Sequence, residues 1–530
     1  KNNKGRNVYF FLPFIIGLIG FFFHAKKDIK SFYVVLALFL FTGIALKIYL
    51  NERPFEPRER DYALVGSFYV FALWIGMGVY AIFDFLKAYL QPKIAGPVVV
   101  VTCLLAAPIL MASQNWDDHD RSGKYTAVAS ARAYLDSCEK NAILFTIGDN
   151  DTFPLWYLQE IEEYRTDVRI VNTSLLMTDW YIDQMKAKAY DSDPVPISFS
   201  HKDYVDGKRD YLVFDERTKE RLDVNEFMNF VSSDDPRTLL EMKNGQSIQF
   251  YPTNKIRISV DKNVVIANKV VNPKYNDSIV PYIDVDIKGS ALYKNRLMML
   301  DIVRNNNWKR PIYFSPGAFA DDDYIWMKDF LQLDGMVYKL VPIKTPLPKD
   351  AYGFDMGKID SDVMYNIMMK LDWGNGESTK IYHDPETRKN SISYRTNLTR
   401  LMNQLIMEGK NDKAKKIIEL ALTKLPLDYY EFYSLVDPFA EGYYKIGEKE
   451  KARQLLQQLM AKYQENLKYY SGMKSVDQND LAVDIITDIE RYRGLLLIMT
   501  DHKDTTFYNE QKAIFNSYNK RFERFGRDLE

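Results

Sequence analysis

Four apolar runs stand before Ser113, and no run of that kind follows: Val8 to Ala25, Phe32 to Leu50, Tyr62 to Phe83 and Ile94 to Ala112. A helix rises ~1.5 Å per residue and the hydrocarbon core of a bilayer is ~30 Å thick, so about 20 apolar residues make one crossing. Each run is about that long. The pattern predicts a bundle of membrane helices with a large water-exposed part hung on one side. Four crossings would put the loop from Glu52 to Asp61 on the same side as everything after Ser113. Which side that is stays open, because basic residues are split almost evenly between the two sets of loops.

The whole-chain mean hydropathy of -0.30 hides this split, since the polar majority of the 530 residues dilutes the apolar runs. The chain after Ser113 is long enough for two or three domains. A net charge of -1 provides no basic footprint, so a nucleic-acid partner is not expected. The 37 Tyr and 31 Phe suit large cores and rings at the headgroup level. Cys103 lies in the fourth run and Cys138 in the polar part, so no disulfide and no thiol metal site is expected. The basic stretch from Lys1 to Arg6 before an apolar run has the look of a secretory signal. No small-residue cleavage site follows Phe23, so the run reads as a true span, preceded by further chain.

From Asn141 the pattern becomes α/β. Ala142 to Ile147 reads as a buried strand and Gly148-Asp149-Asn150-Asp151 as a turn. Asp151 or Thr152 is placed to cap the next helix, Pro154 suits its first turn, and Leu155, Leu158 and Ile161 form its stripe. Val168 to Val171 reads as the second strand, which makes a β-α-β unit with a parallel pair. Later, Lys294 to Asn305 reads as a helix and Pro311 to Phe314 as a strand. Asp321-Asp322-Asp323 is expected to open another helix, and Met336 to Val341 to close the sheet. Between these halves, about 195–285, lies a β-rich insertion with strands expected at Ser247 to Tyr251, Ile256 to Val260 and Val264 to Val270.

The segment 346–391, with several prolines, glycines and charges, reads as a connector, and 392–530 as helical. Gly409 and Ala414 match Gly447 and Ala452 at a fixed offset, 447 − 409 = 38 residues. Glycine in a tight turn and alanine at a helix contact follow tetratricopeptide-like logic, although ~34 residues is the usual period. An ordinary pair of helical hairpins fits the same match. The expected architecture is a four-span helical bundle (1–112), an α/β domain with its insertion (113–345), the connector, and an all-α tetratricopeptide-like tail.

Three constellations carry candidate chemistry. In the charged loop before the third run, Arg58 and Arg60 suit a lipid phosphate, beside the acids Glu59 and Asp61; local ion pairs in a solvated loop explain them as well. After the fourth run, Asp117, His119 and Asp120 offer oxygen and imidazole ligands for a divalent cation, or merely anchor the chain beside Trp116. Asp149 and Asp151 sit at the carboxyl end of a parallel strand, where α/β sheets bind their ligands. They resemble the paired acids that hold a metal–sugar-nucleotide in some glycosyltransferases, though a turn and a cap need the same residues. No phosphate-cradling glycine loop, His-Glu-x-x-His or Gly-x-Ser-x-Gly occurs.

Several longer stretches resemble one family: Asn141 to Tyr157, Arg165 to Asn172, Asp117 to Ser122, Thr178 to Tyr181, Trp308 to Phe314 and Gly335 to Pro342. They are similar to the C-terminal half of large bacterial multi-spanning membrane proteins long filed as a domain of unknown function. That family is similar to a eukaryotic transmembrane protein O-mannosyltransferase and is grouped with the GT-C glycosyltransferases. The resemblance implies a lipid-phosphate-linked sugar as donor, an exported protein as acceptor and an exoplasmic active site, periplasmic in a bacterial inner membrane. It also implies a catalytic acid in a first exoplasmic loop, in an Asp-x-Gly-Glu type motif that these residues do not contain. The chain would then be the non-catalytic half of the enzyme, with peptide held on its helical repeats. The alternative is a membrane-anchored scaffold with no enzymatic activity.

Overall fold

A computed structural model describes residues 5–52, 60–241, 247–317, 320–346 and 355–526. The chain forms two compact units: Lys1–Ser122 with Lys380–Tyr382, and Gly123–Thr379 with His383–Glu530.

Among the described residues of the first unit three helices are long and apolar enough to cross a membrane: Ile29–Leu50, Asp61–Leu86 and Pro92–His119. This makes the protein membrane-associated. The first apolar run forms a shorter helix, Leu12–Lys27, of 16 residues. Phe10 and Phe11 take left-handed backbone (φ 51° and 56°), so the helix starts late, with Pro13 in its first turn. Asp28 is extended (φ −148°) and ends it. The same Asp28 side chain accepts from the Lys30 and Ser31 amides and starts the next helix. Leu12–Lys27 packs closely on Val65–Leu86 because both carry glycine at the crossing. A Cβ on Gly20 would lie 1.8 Å from the Trp74 carbonyl oxygen, and one on Gly78 would lie 2.0 Å from that of Ile16. Beside this crossing Trp74 is 1% exposed, and Phe21, Phe32, Phe39 and Phe71 ring it.

The second unit is built on a five-stranded sheet. Twelve strands are found among the described residues: β1 (Ile143–Thr146), β2 (Arg169–Asn172), β3 (Tyr211–Phe214), β4 (Leu222–Asp223), β5 (Leu239–Glu241), β6 (Ser247–Tyr251), β7 (Lys255–Ser259), β8 (Tyr282–Asp286), β9 (Ala291–Tyr293), β10 (Ile312–Phe314), β11 (Leu331–Asp334) and β12 (Val337–Leu340). The main sheet runs β11-β12-β10-β1-β2. β1 pairs in parallel with β2 and with β10, while the β11–β12 hairpin closes the far side antiparallel. Every residue of β1, β2 and β10 is buried, as parallel strands covered on both faces must be. The helix Asp149–Ile161 joins β1 to β2 and buries Leu155 and Leu158, which completes the β-α-β unit.

The insertion forms two small sheets, β5-β6-β3-β9 and β4-β7-β8. Two expectations fail here and beyond. Val264 to Val270 is not a strand: Lys262–Ala267 is a helix, because the Asp261 side chain accepts from the Asn263 and Val264 amides and outweighs the β-branched run. Asp321-Asp322-Asp323 opens no α-helix. A single 3-10 turn, Asp322–Tyr324, ends at once where Ile325 and Trp326 turn left-handed (φ 49° and 56°). Strand β11 was not anticipated before the closing strand; together they make a hairpin.

Within 346–391 the chain carries the helix Ser361–Met368, which buries Met364 and Met368, and the first tail helix already starts at Pro385. The tail forms three helical hairpins: Pro385–Met407 with Asn411–Lys424, Asp437–Lys445 with Lys449–Ser471, and Ala482–Asp501 with Thr505–Asn519. Their turns are built alike. Gly409 and Gly447 take φ 71° and 84°, and the next residues, Lys410 and Glu448, donate back to the Leu405 and Tyr443 carbonyls. This is the glycine-ended helix cap. The third turn repeats it with Lys503 (φ 56°) in place of glycine, Asp504 donating to Met499. Ala414 and Ala452, both 0% exposed, sit in the helix contacts after the first two turns.

Candidate functional site

From β1 the chain crosses to β2 on one side, and from β2, after the insertion, it returns to β10 on the other side of β1. The carboxyl ends of β1 and β10 therefore flank a topological switch point, where open α/β sheets form a ligand crevice. Polar residues gather there because the strands stop in one row. Thr146 pairs in register with Asn172, and the Ser315 amide donates to the Phe145 carbonyl.

On the β2 side the row is clamped. The Thr152 hydroxyl donates to the Gly148 carbonyl at 2.8 Å. It therefore accepts from Asn172 Nδ2 at 2.9 Å and from the Thr146 hydroxyl at 2.7 Å. Asn172 Oδ1 in turn accepts from the Ser174 and Leu175 amides. On the β10 side the Ser315 hydroxyl donates to Asp151 Oδ2 at 3.0 Å. Asp151 is half-buried, and burial pushes its carboxyl above the ordinary range against the pull of that hydroxyl. Asp149 and Asn150 are exposed at the mouth. A Cβ on Gly148 would meet nothing within 4 Å, so the space over the turn is open.

A second layer backs this row. Gly317 approaches so closely that a Cβ there would lie 1.9 Å from Ile147 Cδ1. Its amide donates to the Tyr324 hydroxyl at 3.0 Å. Arg296, at the start of the helix Lys294–Asn306, donates to Asp323 at 2.8 Å and to Asp322 at 3.1 Å. Burial raises the Asp323 carboxyl, and the Arg296 charge opposes it. Beyond lie two adjoining clefts, about 700 Å³ and about 250 Å³, which share Lys288, Asp321 and Trp326. Their shared wall holds the left-handed Trp326; strained backbone of this kind is kept where surrounding structure enforces it. Chemically, the row presents a carboxyl biased toward its protonated form, an exposed carboxylate and several hydroxyl and amide groups. Such a set can accept or return a proton and bind hydroxyl groups.

The candidates from sequence fall as follows. Asp149 and Asp151 both lie at the switch point, but in different environments, one exposed and one held by Ser315. Arg58 and Glu59 lie outside the described residues. Arg60 and Asp61 are exposed, at the start of the turn Asp61–Leu64. Asp117 and His119 lie in the last turn of Pro92–His119, where the His119 ring bonds Asp118 at 2.8 Å. Asp120 accepts from the Ser122 amide, and that region's hydrogen bonds hold its carboxyl below the ordinary range. Among the described residues no group of three or more His, Cys, Asp or Glu is placed to hold a metal ion. Ser315 and the Arg296–Asp323 pair were not foreseen.

Residues 127–363 match the model of a family described as TMEM260-associated domain 2. The match takes in the whole main sheet, the insertion and the switch-point row. No curated protein and no solved structure matches the chain.

Proposed function

We propose that this chain is part of a membrane-embedded glycosyltransferase that moves a sugar from a lipid-phosphate carrier onto protein. The observation that carries the reading is a single chain joining membrane-length apolar helices to an α/β unit matched by a TMEM260-associated domain. The resemblance to GT-C proteins set out above points the same way. In this reading Leu12–Lys27 is a fourth crossing, and the α/β unit and tail face the periplasm of a bacterial inner membrane. Arg58 and Arg60 bind the lipid phosphate, the tetratricopeptide-like hairpins hold the exported acceptor, and the catalytic acid is not assigned to any residue here. The switch-point row then serves acceptor or sugar hydroxyls rather than the bond-breaking step.

The test uses the native protein in lipid nanodiscs with a radiolabelled lipid-phosphate sugar and membrane-extracted acceptor protein. Label moving into protein, and falling at least about tenfold in Arg58→Ala/Arg60→Ala, supports the reading. No transfer under any donor tried counts against it. A second reading, a scaffold without activity, draws on the three stacked hairpins. It predicts acceptor capture that survives loss of every lipid-linked donor.

A further inference from the structure

A cleft of about 600 Å³ runs beside β2, the edge strand of the main sheet, between the helices Asp149–Ile161 and Asp179–Met185. Arg169 lines it and is 5% exposed. Its Nη2 donates to the main-chain carbonyls of Gln184 at 2.7 Å and Ala187 at 3.1 Å. Its Nε and Nη1 are buried with no hydrogen-bond partner among the described residues. No carboxylate there pairs with it either, and burial holds its charged form below the ordinary range. A second guanidinium, Arg310, lies close enough to feel Arg169 as a like charge. Arg310 is itself engaged by the carbonyls of Asn141, Ala142, Asp193 and Pro194 and by the Ser192 hydroxyl. Arg169, which keeps unused donors, and Lys188 line the cleft, while Arg310 does not.

The rest of the cleft narrows the occupant. An added β-strand does not fit, because side chains already fill the outer edge of β2. The Asn172 amide donates to the Tyr181 hydroxyl at 2.8 Å, and Gln159 Nε2 donates to the Val168 carbonyl at 2.7 Å. The walls carry Trp156, Trp180 and Tyr190, the last two each 56% exposed. Among the described residues the one acid lining the cleft, Glu160, is engaged by the Tyr190 hydroxyl. A buried guanidinium fork with free donors suits a planar or tetrahedral oxyanion, and aromatic walls suit the less polar body of a small ligand.

We propose that this cleft binds a phosphate monoester, with its oxyanion on Arg169 and its organic part against Trp180 and Tyr190. The site is distinct from the switch-point row, and the proposal does not rest on the glycosyltransferase reading.

The test uses the full chain purified in detergent, with glucose 1-phosphate, dihexanoyl phosphatidic acid and glucose as probes, read by calorimetry and thermal shift. The wild type binds a phosphate-bearing probe and melts a few degrees higher, about 2–4 °C, at saturation, while glucose does nothing. In Arg169→Met the dissociation constant rises about tenfold or more. Without ligand that variant melts at or above the wild type, because an uncompensated buried cation is gone. Tighter binding of glucose 1-phosphate identifies a free ester as the natural class, and tighter binding of the short phosphatidic acid a lipid headgroup; either, lost with Arg169, sustains the proposal. Should Arg169→Met fail to fold, Arg169→Lys keeps the charge without the fork and gives a weaker, measurable site. A wild type that binds neither phosphate probe, or equal binding by the variants, overturns it. Arg169 is then only a clamp on the Gln184 and Ala187 carbonyls.

Discussion

The Ser315 hydroxyl reaches across the gap between β10 and β1 and donates to Asp151 Oδ2 at 3.0 Å. This bond adds a side-chain link to the backbone pairing of β1 with β10, between residues 164 positions apart in the chain. It also opposes the burial that raises the Asp151 carboxyl. Ser315→Ala should move that carboxyl further up and cost about 1 kcal/mol of stability at neutral pH, since a buried acceptor loses its donor. Titration of Asp151 by carbon-detected NMR, beside urea unfolding, checks both. An unchanged titration would place the bond outside the energetics of the site.

Asp334 sets a pH dependence with a definite sign. It is 1% exposed, and burial pushes its carboxyl up to about 6, with Lys339 and the Gln332 amide pulling the other way. An acid whose folded pKa is raised binds more protons folded than unfolded, so its contribution to stability falls as pH rises. The loss runs from the ordinary aspartate value of 3.8 up to about 6. Asp334→Asn should flatten the stability profile across that window, as followed by thermal melts at half-unit pH steps. A profile as steep as wild type would show that other groups dominate.

The close packing of Leu12–Lys27 on Val65–Leu86 rests on two glycines. Gly20→Leu or Gly78→Val forces the helices Leu12–Lys27 and Val65–Leu86 apart, since either Cβ would sit within 2.0 Å of a carbonyl oxygen. Overpacking of this kind costs ~1–3 kcal/mol or more, and a fall in detergent melting temperature reports it. Gly76→Ala is the matched control, for a Cβ there meets nothing within 4 Å.

In the tail, Gly447→Ala should cost about 1 kcal/mol, because alanine resists φ 84°. Lys503→Gly should gain a similar amount by relieving the same geometry. Opposite shifts in chemical denaturation midpoint would confirm that the three turns are one device. Asp504, just after the third turn, is 1% exposed and accepts a two-pronged bond from Arg453 at 2.8 and 2.7 Å. Asp504→Ala should cost on the order of 3 kcal/mol and loosen the third hairpin first.

The sequence made the local grammar readable and the long-range arrangement only in part. The β1-helix-β2 unit was legible because a short apolar strand, a Gly-Asp break and the buried pair Leu155 and Leu158 follow each other, but its details shifted: the helix already starts at Asp149, with Gly148 rather than Asp151 or Thr152 at its N-cap, Pro154 lies inside it, and Ile161 is exposed. Val264 to Val270 misled because β-branched residues favour a strand, while one capping bond from Asp261 settled a helix. The third hairpin escaped notice because Lys503 takes the left-handed position that glycine marks in the first two. Ser315 carried no signal of its own: its role depends on β10 lying beside β1, a pairing set by packing across the insertion. Arg169 read as part of a buried strand, and only the folded edge shows that two of its donors go unused.

The central claim, that this chain serves sugar transfer at a membrane, is tested most directly by following label from a lipid-phosphate-linked sugar into protein. The native protein in nanodiscs is compared with its Arg58→Ala/Arg60→Ala form. The account predicts transfer by the native protein, and a fall of about tenfold or more in the variant at unchanged membrane insertion. Absence of transfer by the native protein, with acceptor protein still captured, would contradict it and leave the scaffold.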